Sequence, residues 1–243
     1  MRTKEFLGKH GVPFISIDVL ADKAGLQELR DLGARSVPVV SRGRDWVDGQ
    51  ALQALADFVG VRWTHRMLPP AELAARVNTV LSAAARFSAQ LPPYRLAAML
   101  PNGFRSYASL ATHIGQIVEA FLDQVEHGVR LEEAAYVKPV PENITTPGAL
   151  AAFQDAVRGR FNDWWRAAGS AADYAVPAAV YYGEQTLHEF FERSAWHAAQ
   201  HTRQLQLLIE TLGVAPNRPL AKADLAGLPL PENVWDDKLV FTA

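Results

Sequence analysis

The chain has 243 residues, enough for one large domain or two small ones, and with 49% hydrophobic and 21% charged residues it has an ordinary globular composition. A net charge of −2, with Lys and Arg dispersed along the chain, gives no electrostatic footprint for nucleic acid, and no apolar run is long enough to span a bilayer. Cysteine is absent, which excludes disulfides, thiolate metal ligands, iron–sulfur clusters and a cysteine nucleophile and leaves nitrogen and oxygen as the only metal donors. No signal-peptide pattern opens the sequence, so a cytoplasmic protein is expected.

Residues 1–60 differ in texture from the rest. Arg2 to Gly11 suits a short helix ended by Gly11 before Pro13. Phe14-Ile-Ser-Ile-Asp-Val19 has the alternation of a strand, Lys23 to Leu32 that of a helix, and Val37-Pro-Val-Val40 that of a second, shorter strand. A turn at Gly43 leads to Asp45-Trp-Val-Asp48, an antiparallel partner, and Gln50 to Phe58 closes the segment as a helix. The predicted order, α-β-α-β-β-α, is that of an α/β unit.

Four stretches carry a resemblance: Thr3-Lys-Glu-Phe-Leu, Gly11-Val-Pro-Phe with Asp18-Val, Ser36-Val-Pro-Val-Val, and Val47-Asp-Gly. In this order and spacing they resemble a glutaredoxin, and the segment is similar to a thioredoxin-fold domain. The resemblance implies a cis peptide at Val37-Pro38, with backbone around Val37 and Pro38 that pairs with a glutathione-like peptide, and a carboxylate position near Asp48-Gly49. Glutaredoxins also begin with a central strand and a Cys-x-x-Cys or Cys-x-x-Ser loop. This sequence starts just after that point, so the segment is expected either to be a remnant that docks other parts or partners, or to continue upstream of an internal Met1. Thiol chemistry of its own is excluded by the missing cysteines.

Residues 61–70, with Trp63 and Pro69-Pro70, form an expected linker, and 71–243 read as helical. Ala71 to Gln90 carries an apolar face of Leu73, Val77, Val80, Leu81 and Phe87. The stretch from Leu96 to Arg105, around Pro101-Asn-Gly103, is a turn. Ser106 to His127 is a second long helix whose seam runs Leu110, His113, Ile117, Phe121. A polar, proline-containing connection over 128–146 ends at Thr146, a capping residue before Pro147, and the third helix runs to Ala168 with Phe153, Val157, Phe161 and Trp164/Trp165 as its bulk. After a loop over 171–183, Glu184 to Leu212 reads as the fourth helix, stopped by Gly213. The tail from Pro216 has little periodicity, and Leu228-Pro-Leu-Pro-Glu-Asn-Val-Trp235 suits a segment laid across the end of the helices. No G-x-S-x-G, Walker A, G-x-G-x-x-G or EF-hand pattern occurs.

The fourth helix holds the chemically informative pair. His197 and His201 are one turn apart and share the seam Phe190, Ser194, His197, His201, Leu205, Leu208, so both imidazoles point where apolar side chains point. Buried imidazoles need partners: hydrogen-bonding core groups or a metal ion. His113 is a third histidine at a core-facing position, and with the pair it could give three nitrogens around one ion, a set suited to zinc, nickel or iron with an open coordination position. Gln116, Glu119, Glu184 and Gln200 are candidates to support such a site. His127 and His188 fall off the seam and are expected at the surface; His10 and His65 belong to other regions.

Ala111-Thr-His113-Ile, Ser194-Ala-Trp-His-Ala-Ala-Gln-His201-Thr-Arg-Gln-Leu and Leu228-Pro-Leu-Pro-Glu-Asn-Val-Trp235 together make residues 70–235 resemble the DinB superfamily (YfiT/DinB-like metal-binding four-helix bundles). The whole chain is then an α+β two-domain protein, a truncated thioredoxin-like unit followed by an all-α bundle. The resemblance implies a metal triad of His113, His197 and His201 and homodimers formed through helix faces. It also implies a metal-dependent enzyme acting on a small molecule, a low-molecular-weight-thiol transferase or thiol-dependent isomerase. Two alternatives stay open: a non-catalytic or stress-related metal-binding protein whose first segment docks a partner, and a metal hydrolase. No nucleic-acid or membrane partner is expected.

Overall fold

The computed structural model describes residues 2–34, 37–100 and 105–235. The Ser36 end of the Val-Pro motif, the Pro101-Asn-Gly103 turn and the tail beyond Trp235 lie outside them. Seven α-helices and two small antiparallel sheets occur among the described residues, a mixed α/β architecture. No helix of the described residues is long and apolar enough to cross a membrane. The chain divides into two compact units, 1–66 and 67–243.

The first unit contains α1 (Arg2–Lys9), α2 (Lys23–Asp31), β1 (Val39–Arg42), β2 (Asp45–Asp48) and α3 (Leu52–Val59). Asp22 starts α2 by accepting from the amides of Ala24 at 2.9 Å and Gly25 at 3.2 Å. β1 and β2 pair from Val39↔Asp48 to Arg42↔Asp45, and Gly43, at φ 64°, supplies the positive φ that so tight a turn requires. Phe6 and Leu7 of α1 pack with Leu52, Leu55 and Ala56 of α3 as the core, against which Val40, Val47 and Trp63 rest. The Val37-Pro38 peptide is cis, as expected for that bond, and the Gly49 amide donates to the Pro38 carbonyl at 2.8 Å. A side chain on Gly49 would meet the Thr3 side chain at 2.8 Å and the Pro38 carbonyl at 3.1 Å, so glycine is required there by close approach.

Phe14–Val19 does not form the expected strand. A strand exists only through ladder hydrogen bonds to a neighbour, and the two strands of this unit satisfy each other. The stretch leaves Phe14, Ile15 and Ile17 exposed and ends in a turn in which the Asp18 carboxylate accepts from the Leu20 amide at 3.0 Å.

The second unit is built on α4 (Pro70–Ala89), α5 (Tyr107–His127), α6 (Pro147–Ala167) and α7 (Leu187–Thr211). α4 and α5 each pack against both α6 and α7, and touch one another only lightly, so they stand diagonally across a shared core. α5 runs antiparallel to α7: His113 meets His201 at one level, and Phe121 stacks on Phe191, with ring centroids 4.8 Å apart, at another. α5 and α6 run parallel, since Gln154 donates to the Ala111 carbonyl at 2.6 Å while Trp164 meets Phe121 further along both helices. Parallel neighbours cannot be joined by a short loop, which explains the long connection over 128–146. Phe87, Phe121, Phe161, Phe190 and Phe191 are fully buried in this core.

Capping sets the register of these helices. Ser106 accepts from the Ser109 amide at 3.1 Å and Thr146 from the Ala149 amide at 3.1 Å. α7 begins at Leu187, three residues later than the sequence pattern suggests. Gln185 and Thr186 form a two-residue strand, β4, paired with β3 (Pro177–Ala178). Thr186 then opens α7 through a reciprocal capping box, its amide donating to the Glu189 carboxylate at 2.7 Å while its hydroxyl accepts from the Glu189 amide at 3.2 Å. A Thr186→Ala variant is expected to lose about 1 kcal/mol of stability, read as a lower urea midpoint with an unchanged slope; a midpoint equal to wild type would mean that the β3–β4 pairing alone fixes this end.

Candidate metal centre

α5 and α7 bring three imidazoles into one cluster. Ring centroids lie 4.7 Å apart for His113 and His201, 5.3 Å for His113 and His197, and 5.0 Å for His197 and His201. One nitrogen from each ring lies within 4.8 Å of one from each of the others, a group that could hold a metal ion. His113 is almost fully buried, and His197 and His201 are half-buried. Neither ring nitrogen of His113 has a hydrogen-bond partner. Two unpartnered nitrogens in a core cost about 1–3 kcal/mol each, so a ligand at this point would relieve a real penalty.

His201 is oriented from behind. Its Nδ1 lies 2.7 Å from Gln204 Oε1, and the Gln204 amide nitrogen donates to the Val234 carbonyl at 3.1 Å. Because the amide nitrogen faces a carbonyl, the amide oxygen must face the histidine. Nδ1 therefore carries the proton and Nε2 presents its lone pair. The chain at Pro231–Val234 is clasped to α7 by the same face: Gln200 also donates to the Val234 carbonyl, at 2.8 Å, and Arg203 donates to the Pro231 and Glu232 carbonyls at 2.7 and 2.8 Å. Gln204→Leu is expected to weaken metal binding by about 10–100-fold, the usual effect of removing such an orienting partner. Competition with a chromogenic chelator measures it, and wild-type affinity in the variant would show that helix geometry alone orients the ring.

Tyr136, in a short helical turn of the crossing connection, packs edge-on against His197 at 5.2 Å and His113 at 6.2 Å. Beside it is a small cleft of about 140 Å³, lined by Arg105, Ser109, His113, Gln116, Tyr136 and Lys138. Burial holds the His113 imidazole far below its ordinary pKa, and the neighbouring His201, His197 and Arg105 lower it further; the Tyr136 backbone is near enough to oppose this without reaching hydrogen-bond geometry. His201 is pushed down to about 3, first by burial and then by Arg105, against the opposing effect of the hydrogen bond it donates to Gln204 Oε1. Both rings are thus neutral at ordinary pH, the form that ligates metal. A larger hollow of about 740 Å³, bordered by Arg130, Tyr181, Glu184 and Glu189, lies away from the triad and has no histidine in its wall.

Of the four supporting candidates, Gln116 lines the cleft and donates to the Pro139 carbonyl at 3.2 Å, holding the crossing connection in place. Gln200 serves the clasp, accepting from Arg203 at 2.9 Å. Glu119 is part-buried, its carboxyl pushed up by burial with Lys138 opposing, and Glu184 is exposed at the other hollow. His188 is not a free surface residue: its Nε2 lies 2.8 Å from the Leu68 carbonyl and it is half-buried, because the chain entering α4 passes beside the start of α7. His127 is exposed. The residues that sequence reasoning missed are Arg105, Tyr136 and Gln204. Only Gln204 carries a local signal, three residues after His201 and hence on its face.

The glutaredoxin family model matches residues 1–47, a fraction of the first unit's length short of its end and well under half of the chain. No curated protein matches the chain.

Proposed function

We propose that the second unit is a four-helix bundle of the DinB-like kind, holding one divalent metal on His113, His197 and His201, and that it works as a metal-dependent enzyme using a low-molecular-weight thiol, of the transferase or isomerase type. The observation that carries this reading is the pair of unpartnered His113 nitrogens facing two further imidazoles. The residues fit an ion of the zinc, nickel or iron group: three imidazole nitrogens, one of them fixed in tautomer by Gln204, with a cleft beside His113 that leaves room for a further ligand. When bound, the ion supplies Lewis acidity, which lowers the pKa of a coordinated thiol. The chain's own residues orient the ring of His201, wall the cleft with Tyr136, and hold the crossing connection through Gln116. The glutaredoxin match favours a thiol, since the family resemblance implies a glutathione-like peptide beside Val37 and Pro38.

The clasp of Pro231–Val234 on α7 favours a second reading, a structural ion, because the same Gln204 serves both the clasp and His201. A hydrolase has less support: no carboxylate of the described residues joins the histidine group to act as base. The test is metal analysis of the purified protein followed by thiol consumption with a panel of electrophiles. Metal with thiol turnover supports the enzyme. Metal without turnover, and a melting temperature that collapses on chelation, supports the structural ion. Protein that takes up no metal sinks both.

A further inference from the structure

Arg105 is a feature of the cleft that three histidines and a metal leave unexplained. It precedes Ser106, the cap of α5, and its guanidinium is largely buried, with Nη1 lacking any hydrogen-bond partner. A buried cation without a carboxylate costs several kcal/mol, yet no ion pair of the described residues involves Arg105. It lines the same cleft as His113, and its charge helps to hold His113 and His201 below their ordinary pKa. Lys138, on the same cleft, is only loosely engaged, 3.9 Å from Asp123 and about half exposed. A divalent ion on three imidazoles adds two more positive charges, and among the described residues no carboxylate joins the group to offset them. Among the described residues, the centre is short of negative charge.

We propose that Arg105, with Lys138 at the outer rim, is a carboxylate-binding subsite, and that the thiol compound used at the metal carries a carboxylate which this subsite holds. The inference rests on the metal-enzyme reading above. Arginine's planar fork suits a carboxylate, and a charge-assisted hydrogen bond is worth most where water is excluded. The size of the cleft sets how far the carboxylate stands from the sulfur. At about 140 Å³ it is well below the roughly 300–1,000 Å³ of a pocket that encloses a whole drug-sized ligand. It takes one end of a molecule, a carboxylate a few bonds from the sulfur, while the remainder lies outside. A neutral thiol would satisfy the metal but leave Arg105 unpaired, and it is therefore discriminated against.

The test uses the full-length protein loaded with Co(II), whose visible spectrum reports ligation, titrated with mercaptoacetate and with 2-mercaptoethanol. Mercaptoacetate is expected to bind at least about tenfold more tightly to wild type, a preference of about 1.4 kcal/mol. Arg105→Gln should erase that preference while its Co(II) content stays at the wild-type level. Arg105→Lys, which keeps the charge but not the fork, should keep part of it, and Lys138→Gln most of it. Equal affinity for the two thiols in metal-loaded wild type overturns the subsite and leaves the metal reading standing. An undiminished preference in soluble Arg105→Gln overturns the assignment to Arg105. Should that variant fail to fold, Arg105→Lys and the wild-type comparison decide the matter by themselves. Wild type that binds no Co(II) overturns the metal reading and this inference with it.

Discussion

A His113→Leu variant is expected to lose its divalent metal and yet, compared metal-free, to be about 1–3 kcal/mol more stable than wild type. The two halves have different causes. Metal affinity falls because one of three donors is gone. If a structural zinc site is worth about 10–16 kcal/mol spread over three ligands, losing one removes about 3–5 kcal/mol and weakens binding by roughly 200–5,000-fold. Stability rises because His113 is almost fully buried with both ring nitrogens unpartnered, and an apolar side chain of similar size removes that penalty and packs against its neighbours on α7. Chelator-treated proteins compared by urea denaturation give the second quantity, and metal analysis after dialysis gives the first. A variant that keeps its metal breaks the triad. A variant that is destabilised without metal would mean that the His113 nitrogens are satisfied in solution, and the reason for placing a ligand there would go with it. The opposite signs are the signature of a residue kept for binding at the expense of packing.

That trade-off was half visible in the sequence. Periodicity locates His113, His197 and His201 on core-facing seams because each seam is set by neighbours three and four residues away on the same helix, and the structure brings the three rings together. The β1–β2 hairpin was legible for the same reason, its pairing being local and its turn marked by Gly43. What failed was non-local. Phe14–Val19 has the alternation of a strand, but alternation says nothing of whether a partner lies alongside. The start of α7 slipped by three residues because Gln185 and Thr186 pair with Pro177 and Ala178, a contact with no trace in the helical pattern. His188 was misplaced because its partner, the Leu68 carbonyl, is 120 residues away. Arg105 and Tyr136 come to the cleft from connecting segments, where no period predicts the direction of a side chain. The site's donors could be read from helices; the groups that give it charge and shape could not.

Acid should unfold the metal-free protein earlier than its carboxylates alone require. His201 is held down to about 3, and His113 lower still, chiefly by burial, whereas both return to about 6.5 in the unfolded chain. Above pH 6.5 neither state takes a proton at these rings, and their contribution to stability is intact. Below it the unfolded chain binds protons that the folded chain refuses, so stability falls as pH drops, and for His201 the fall ends only near pH 3, where the folded ring also protonates. Each such histidine contributes a slope approaching about 1.4 kcal/mol per pH unit. Between pH 6 and 5, before most carboxylates titrate, wild type in chelator should therefore lose about 1.4 kcal/mol more per pH unit than His113→Leu, and the two curves should converge towards pH 7 apart from their constant offset. Saturating metal should move the onset to lower pH, since protons must then compete with the ion for the same nitrogens. Parallel curves for the two proteins in chelator would mean that His113 titrates near its ordinary value, in a ring open to water and not in the core where α5 and α7 hold it.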